Sequence, residues 1–395
     1  MWRLKGFCLF AALFLLATAS CRAAPDQEPG DLPALPFGPE LQQAIDEVMA
    51  TNPDHELGIS AAVIVPGYQP WRGASGYSQP GVPLTADMIF DAGSVAKNFE
   101  AVLALKMVED NRLALDDPLI KYLPAYPKVD ETITIRQLLN HTSGLFNVFE
   151  HPDFPWVGAD VDYGRRWTEE EVFSTFVLDP YGRPGQVQHY ASTNYLLLTA
   201  ILEEVAGSAV PEQFEQALVE PLHLVHTFVS MGEPPPAGYA VAHPWADIDL
   251  DGQLDDLEGI PLTWKVTLTH PVIFSTATDL ANWMNALYHE GIVLSPASLA
   301  AMLSFPENVL PDPEGARYGL GVVDYSEILG MQALGHGGSS LGYSAAALYL
   351  PQYDLSLAWM INTGESPPEL ASSLMNQTWE ALGEVIRGSQ QAAPN

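Results

Sequence analysis

Ser94 and Lys97 stand three residues apart in Asp91-Ala92-Gly93-Ser94-Val95-Ala96-Lys97, at the head of a largely apolar stretch that runs to Met107. On a helix, residues three apart share a face, so the lysine amine reaches the serine hydroxyl. A free serine is a weak nucleophile and needs an adjacent base. Burial among apolar side chains disfavours the charged form of an amine, which suits a buried lysine to that task. The helix N-terminus also favours negative charge on the serine oxygen and on an oxyanion beside it. Lysine is scarce in this chain: Lys5, Lys97, Lys106, Lys121, Lys128 and Lys265 are all there is. Lys106 lies near the far end of the same helix, where a solvated charge is unremarkable. Lys97 sits in the first turn beside Gly93, Val95 and Ala96, where burial is easier. Ser-x-x-Lys also arises by chance at helix starts, so the pair alone leaves nucleophilic chemistry and an ordinary helix start equally open.

Apolar spacing predicts the elements that must hold this pair. Glu40 to Met49 has helical spacing at Leu41, Ile45, Val48 and Met49. Leu57 to Val65 reads as a strand, with Trp71 to Tyr77 as its hairpin partner. The stretch from Ser94 to Met107 is apolar on most sides, which marks a buried helix. Helical signals follow at Ile135–Asn140, Glu169–Leu178 and Tyr195–Val205. Strand signals return at Leu320–Tyr325, Ser344–Leu350 and Leu355–Ile361, before an amphipathic helix from Glu369 to Ile386. Strands at both ends with helices between predict an α+β (mixed α/β) fold. Its antiparallel sheet would be built from the N- and C-terminal segments, with flanking helices and an inserted, mostly helical subdomain.

Composition narrows the partners. The 395 residues carry 49 Asp and Glu against 16 Lys and Arg, a net charge of −33. Such a surface repels nucleic acid, so nucleic-acid binding is excluded, and a small-molecule or peptide substrate is the expected partner. Residues 1–21 read as an export signal: Arg3 and Lys5 precede the apolar run Gly6–Leu16, too short for an ordinary membrane span. Ala17-Thr18-Ala19 fits a soluble-export cleavage site, whereas Ala19-Ser20-Cys21 resembles a lipobox with Thr18 where Leu is usual. The lipobox is the preferred reading, with membrane attachment through a lipidated Cys21 and a location in the periplasm or cell envelope. Residues 22–38 read as a linker and 39–390 as one domain. Cys8 and Cys21 are the only cysteines, so the body of the protein has no disulfide, thiol nucleophile or cysteine metal site.

Further motifs accompany Ser94 and Lys97 in order. They are Phe90-Asp91-Ala92-Gly93, Leu115-Asp116-Asp117-Pro118 and Ile135-Arg136-Gln137-Leu138-Leu139-Asn140-His141-Thr142-Ser143-Gly144-Leu145. Tyr190-Ala191-Ser192-Thr193-Asn194-Tyr195, Ser275-Thr276-Ala277-Thr278-Asp279-Leu280 and Gly335-His336-Gly337-Gly338 follow. From about Pro39 to Ile386 the chain resembles the serine β-lactamases, D-alanyl-D-alanine carboxypeptidases and related esterases, particularly their class C-like branch. The resemblance implies that Ser94 is the nucleophile and Lys97 its base. Tyr190 would share proton transfer with the lysine and protonate the leaving group. His336-Gly337-Gly338 would line the substrate trench as a strand edge, its glycines letting a substrate backbone approach. The N–H groups of Ser94 and Ser339 would form the oxyanion hole. Taken singly, Tyr190 also reads as a half-buried aromatic and His336-Gly337-Gly338 as a turn. His141-Thr142-Ser143-Gly144 invites a rival His–Ser reading and is taken as structural, as in the family.

The chain departs from the family pattern at Ser192, which stands where Tyr-x-Asn has its amide and supplies one donor where the amide has two. With His336 in place of a lysine, this favours carboxypeptidase or esterase chemistry over an efficient β-lactamase. D-alanyl peptides, β-lactams and small esters remain the substrate classes. The aromatic segment Phe146–Trp167 is expected to shape the trench. The alternative is a catalytically inactive envelope binding or scaffold protein. No cofactor is required for acyl transfer, but Asp247 to Glu258 matches the twelve-residue calcium-loop pattern. Asp247, Asp249, Asp251, Gln253 and Glu258 are its candidate ligands for a structural ion. An acidic surface turn is the competing reading, since Pro244-Trp245 and Pro261 replace helical flanks.

Overall fold

Strand-forming residues gather at the two ends of the chain, and one sheet is assembled from both. The structure is a computed structural model that describes residues 32–52, 57–154, 165, 167–231, 233–258, 271–307, 309–310, 317–364 and 368–391. The expected signal 1–21, with Cys21, and most of the linker lie outside the described residues.

Helix α1 (Gly38–Ala50) leads into β1 (Gly58–Ile64), β2 (Trp71–Gln79) and the short β3 (Val82–Pro83). The inserted region contains β4 (Phe90–Asp91), α2 (Ala96–Glu109), α3 (Ile135–Leu139), α4 (Glu169–Phe176), α5 (Ser192–Ala206) and α6 (Val210–Phe214). It continues with β5 (Phe228–Ser230), β6 (Trp245–Ala246), β7 (Asp255–Asp256), β8 (Val272–Ser275), α7 (Ala277–Met284) and α8 (Pro296–Met302). The C-terminal part supplies β9 (Arg317–Tyr318), β10 (Val323–Asp324), α9 (Ser326–Leu329), β11 (Leu334–Ser340), β12 (Tyr343–Leu350), β13 (Leu355–Ile361) and α10 (Pro368–Gln391).

The main sheet has eight strands in the order β3-β2-β1-β13-β12-β11-β10-β9. All its pairings are antiparallel. The two chain ends meet where β1 pairs with β13, Ile59 opposite Ile361. Both strands are buried at every position, because helices cover both faces of the sheet. Period-two alternation divides β13 between two cores. Leu355, Leu357, Trp359 and Ile361 pack with Leu41 and Ile45 of α1 and Leu374 and Leu382 of α10. Ala358 and Met360 face the other way, into the core formed with α2, α5 and α7.

A short second sheet, β4-β8-β5, carries the chain into α2. Helix α2 is buried on nearly every side, as its apolar sequence predicts. Beyond Lys97, its two other buried polar residues are matched. Asn98 donates to Gly321 O (2.7 Å) and accepts from Trp283 Nε1 (2.8 Å), and Glu100 accepts from the Thr199 hydroxyl (2.8 Å). Phe99 stacks on Trp283 with ring centroids 3.9 Å apart. The helix starts later than its sequence suggests: Ser94 lies in a 3₁₀ turn, Gly93–Val95, that precedes it.

The strand expected at Leu320–Tyr325 is not continuous. A turn at Gly321 (φ +70°) separates β9 from β10, and a Cβ there would lie 2.2 Å from Ala101 Cβ of α2. The chain bends at this point to clear the buried helix. Because α2 positions Lys97, its anchor should carry measurable stability. Replacing Phe99 with alanine is expected to cost about 3–5 kcal/mol, seen as a lower urea midpoint. A cost under about 1 kcal/mol would show that the Trp283 stack does not hold this helix.

Candidate active site

The site forms where β11 meets the turn that carries Ser94, and glycine permits the approach from both sides. A Cβ at Gly338 would lie 2.0 Å from Ala92 O and 2.8 Å from Ser94 N. Gly93 has φ +53°, and a Cβ there would come within 2.6–2.9 Å of the Ser339 backbone. The Asp91 carboxylate fixes the turn by accepting the Gly93 N–H at 2.7 Å. Side chains at Gly93 or Gly338 would therefore drive Ser94 and Ser339 apart.

One helical turn on, Lys97 is buried and its Nζ donates to Ser94 Oγ at 3.0 Å. The same Nζ also lies 5.3 Å from the Tyr190 ring centroid and 5.7 Å from that of Tyr195. Tyr190 precedes α5 by two residues and faces His141, Tyr318 and His336, with ring centroids 4.4, 5.9 and 6.5 Å away. The structure thus brings together three residues that are far apart in the sequence, Ser94, Tyr190 and His336, beside Lys97.

Strand β11 presents two kinds of group. Gly337 N–H donates to the Tyr325 hydroxyl at 2.8 Å, so it points away from β12. Amides two residues apart in a strand face the same edge, so the Ser339 N–H also points that way, toward the Ser94 turn. This places the amides of Ser94 and Ser339 as two donors at one corner, the arrangement that suits an oxyanion. His336 is buried and uncharged. Its Nε2 accepts from the Tyr318 hydroxyl at 2.7 Å, and its Nδ1 donates to Gly337 O. Burial is the main cause that pulls its pKa from 6.5 to about 3, and the Lys97 charge adds to it. His141 is held well below its ordinary value, first by burial and then by Lys97 and His336. Burial raises the Tyr318 phenol well above its usual value, which keeps it a donor to His336.

These groups line a cleft of about 620 Å³ with Ser94, Tyr190 and His336–Ser339 on one wall and Pro368, Ala371 and Met375 of α10 on another. Among the described residues, none of its lining side chains is Lys, Arg, Asp or Glu.

Several expectations need correction. Ser192 does not line this cleft: it is buried in the first turn of α5, its N–H donating to Asn147 Oδ1 at 3.2 Å. Phe149, Phe154 and Trp167 do not line it either. They pack against one another and Phe176 of α4, with centroid distances of 4.9–5.2 Å, while Trp156 lies outside the described residues. Tyr318, Tyr325 and Gln188 line the cleft without having been singled out; only the pairing of β9 and β10 beside β11 brings the two tyrosines there.

The acidic loop is only partly gathered. Carboxylates of Asp247 and Asp249 converge with Asp255, while Glu258 groups instead with His243 and Asp256. Asp251 accepts from Gln253 N–H, and Gln253 Nε2 from its side chain donates to Gly252 O. Asp247 takes the N–H groups of Asp251 and Gly252 at 3.0 and 2.8 Å. The closing glutamate of a twelve-residue calcium loop is therefore missing from the cluster, because Asp255 and Asp256 form β7 and turn Glu258 away.

A Beta-lactamase family model matches residues 41–377, and the chain belongs to that family. Penicillin-binding protein 4 of Amycolatopsis lactamdurans is 28% identical over 370 residues, 86% of this chain and 89% of that protein. The structure of a D-stereospecific amidohydrolase from Streptomyces sp. superposes with a TM-score of 0.71 at 26% identity, covering 83% of this chain and 95% of that one. D-amino acid amidase from Ochrobactrum anthropi SV3 shares the fold at TM-score 0.75 and 23% identity, over 90% and 99% of the two chains. The mixed α/β architecture is thus that of the penicillin-binding proteins and their relatives.

Neutral burial of His336 and His141 has a consequence for stability. Below pH 6.5 the unfolded chain takes up protons on these imidazoles that the folded chain refuses, so stability falls as pH drops. For His336 the window runs from 6.5 down to about 3. Unfolding free energies from urea titrations between about pH 7 and about 5, above the carboxylate range, should decline by up to about 1.4 kcal/mol per pH unit per buried imidazole. A flat profile would contradict neutral burial.

Proposed function

We propose that the protein is an exported serine acyl hydrolase acting on amides and esters of D-amino acids through an acyl-enzyme on Ser94. The observation that carries this reading is the 3.0 Å contact of Lys97 Nζ with Ser94 Oγ at the edge of the cleft. The Lys97 amine takes the Ser94 proton as Oγ bonds to the substrate carbonyl carbon, and the N–H groups of Ser94 and Ser339 stabilise the oxyanion. As the carbonyl re-forms, the electron pair of the scissile bond leaves on nitrogen or oxygen, and Tyr190 protonates it. The phenolate regains a proton from the Lys97 ammonium. Water then repeats the sequence on the ester and frees Ser94.

The substrate class follows from charge. A free carboxylate on the leaving side needs a cation, and the lining includes no Lys or Arg among the described residues, while the third-motif position holds an uncharged His336. Amides and esters carry no such charge. The likeness to a D-stereospecific amidohydrolase supports the D-configured acyl side.

Ser94→Ala is expected to abolish hydrolysis of D-amino acid amides and labelling by a fluorophosphonate probe, with the fold intact. Lys97→Ala should lower turnover by about 10²–10⁴-fold. An unlabelled Ser94, judged by peptide mass spectrometry, would support an inactive binding protein. Faster hydrolysis of peptides ending in free D-alanyl-D-alanine than of the corresponding amides would overturn the substrate assignment.

A further inference from the structure

His141 was read above as part of a structural turn, yet it touches the site at several points. It follows α3 with φ +56°, is wholly buried, and forms part of the cleft wall. Its main-chain carbonyl accepts the His189 N–H at 3.0 Å. Its Nδ1 accepts the Ala191 N–H at 3.2 Å. These bonds straddle Tyr190: the residue before it and the residue after it are both tied to His141. The imidazole also lies against the Tyr190 ring, centroids 4.4 Å apart, with Tyr318 edge-on at 4.4 Å on another side.

The hydrogen bonds also fix the tautomer. Asn194 Nδ2 donates to Nδ1 at 2.9 Å, and the Ser143 hydroxyl, donating to Asn194 Oδ1 at 2.5 Å, sets which way that amide faces. Because Nδ1 accepts from Ala191 and Asn194, the one proton of the neutral ring is on Nε2. Among the described residues, that atom is buried without a hydrogen-bond partner. An orphaned buried donor costs about 1–3 kcal/mol, so a residue retained for packing alone would be better served by an apolar side chain. What an apolar side chain lacks is the Nδ1 acceptor.

We propose that His141 is a positioning residue for Tyr190, holding the phenol where it protonates the leaving group through paired hydrogen bonds to His189 and Ala191. The inference rests on the acyl-transfer reading above and assigns the turn a part in it. Misplacing Tyr190 penalises only substrates whose leaving group must be protonated as the bond breaks. An anilide needs that proton, whereas p-nitrophenolate departs without it. A general acid is worth about 10²–10⁴-fold where it is needed.

The test compares kcat/KM for the p-nitroanilide and the p-nitrophenyl ester of the same D-amino acid. His141→Gly tolerates the positive φ and removes the Nδ1 acceptor. It is expected to lower the anilide rate at least about tenfold more than the ester rate, in the same direction as Tyr190→Phe. His141→Asn puts an acceptor oxygen near the Nδ1 position and should stay within about threefold of the wild-type ratio. Free imidazole added to His141→Gly should move the ratio back. In a Tyr190→Phe background, His141→Gly should leave the ratio unchanged, because both substitutions act on one step. Equal losses on both substrates, or a further change of ratio in the Tyr190→Phe background, would overturn the inference while leaving Ser94 chemistry in place. Hydrolysis that survives Ser94→Ala would instead overturn the acyl-enzyme reading and this inference with it. Should His141→Gly fail to fold, His141→Leu, which fills the ring volume without an acceptor, carries the same expectation.

Discussion

The site depends on the close approach of two pieces of backbone. The Gly93–Val95 turn lies near the start of the inserted region and strand β11 in the C-terminal part, and they meet at a distance that excludes a Cβ at either Gly93 or Gly338. That contact gives Ser94 a second amide, Ser339, beside its own. It also sets how near His336 lies to Lys97 and Tyr190. The sheet makes the approach rigid, because β11 is the third strand from β1 in a continuous antiparallel ladder closed by the β1–β13 pairing. A strand fixed in this way leaves the turn little room to relax.

What was legible in the sequence was whatever local pattern or spacing encodes. The buried helix, the β1–β2 hairpin, β12, β13 and the terminal helix all declared themselves by apolar period. The Ser94–Lys97 pair needed only three-residue spacing. Strand β11 was not legible from propensity, since Leu-Gly-His-Gly-Gly-Ser-Ser has no β-branched or aromatic residue. It is a strand because β12 and β10 flank it. The same reason hid Tyr318 and Tyr325, whose contacts with β11 exist only once β9 and β10 are paired. The acidic loop differs in the other direction. Its pattern was complete in the sequence, but the pairing of β7 with β6 separates Glu258 from Asp247 and Asp249.

Charge is segregated sharply in this protein. Its net charge of −33 coexists with a cleft wall that, among the described residues, has no ionised lining side chain. The Lys97 amine lies below the surface, its Nζ hydrogen-bonded to Ser94 Oγ. A neutral imidazole at His336 preserves that arrangement. A second cation beside Lys97 would repel it, and burial alone already opposes proton uptake by the ring. Tyr318 completes the device by spending its hydroxyl proton on Nε2, so that His336 is satisfied without being charged.

His141 extends the same logic beneath the site. A histidine next to a lysine amine would ordinarily be a liability, and here it is kept neutral by burial and by donors that occupy Nδ1. Protonation at Nδ1 would break the bond to Ala191 and release one side of the segment that holds Tyr190. The uncharged state of both imidazoles is therefore a geometric requirement as well as an electrostatic one. Each ring keeps a neighbouring strand or loop in place through an acceptor nitrogen, and only the unprotonated nitrogen can accept. Among the described residues, Lys97 is then the basic side chain placed to take the Ser94 proton, and the two imidazoles beside it are kept neutral by burial.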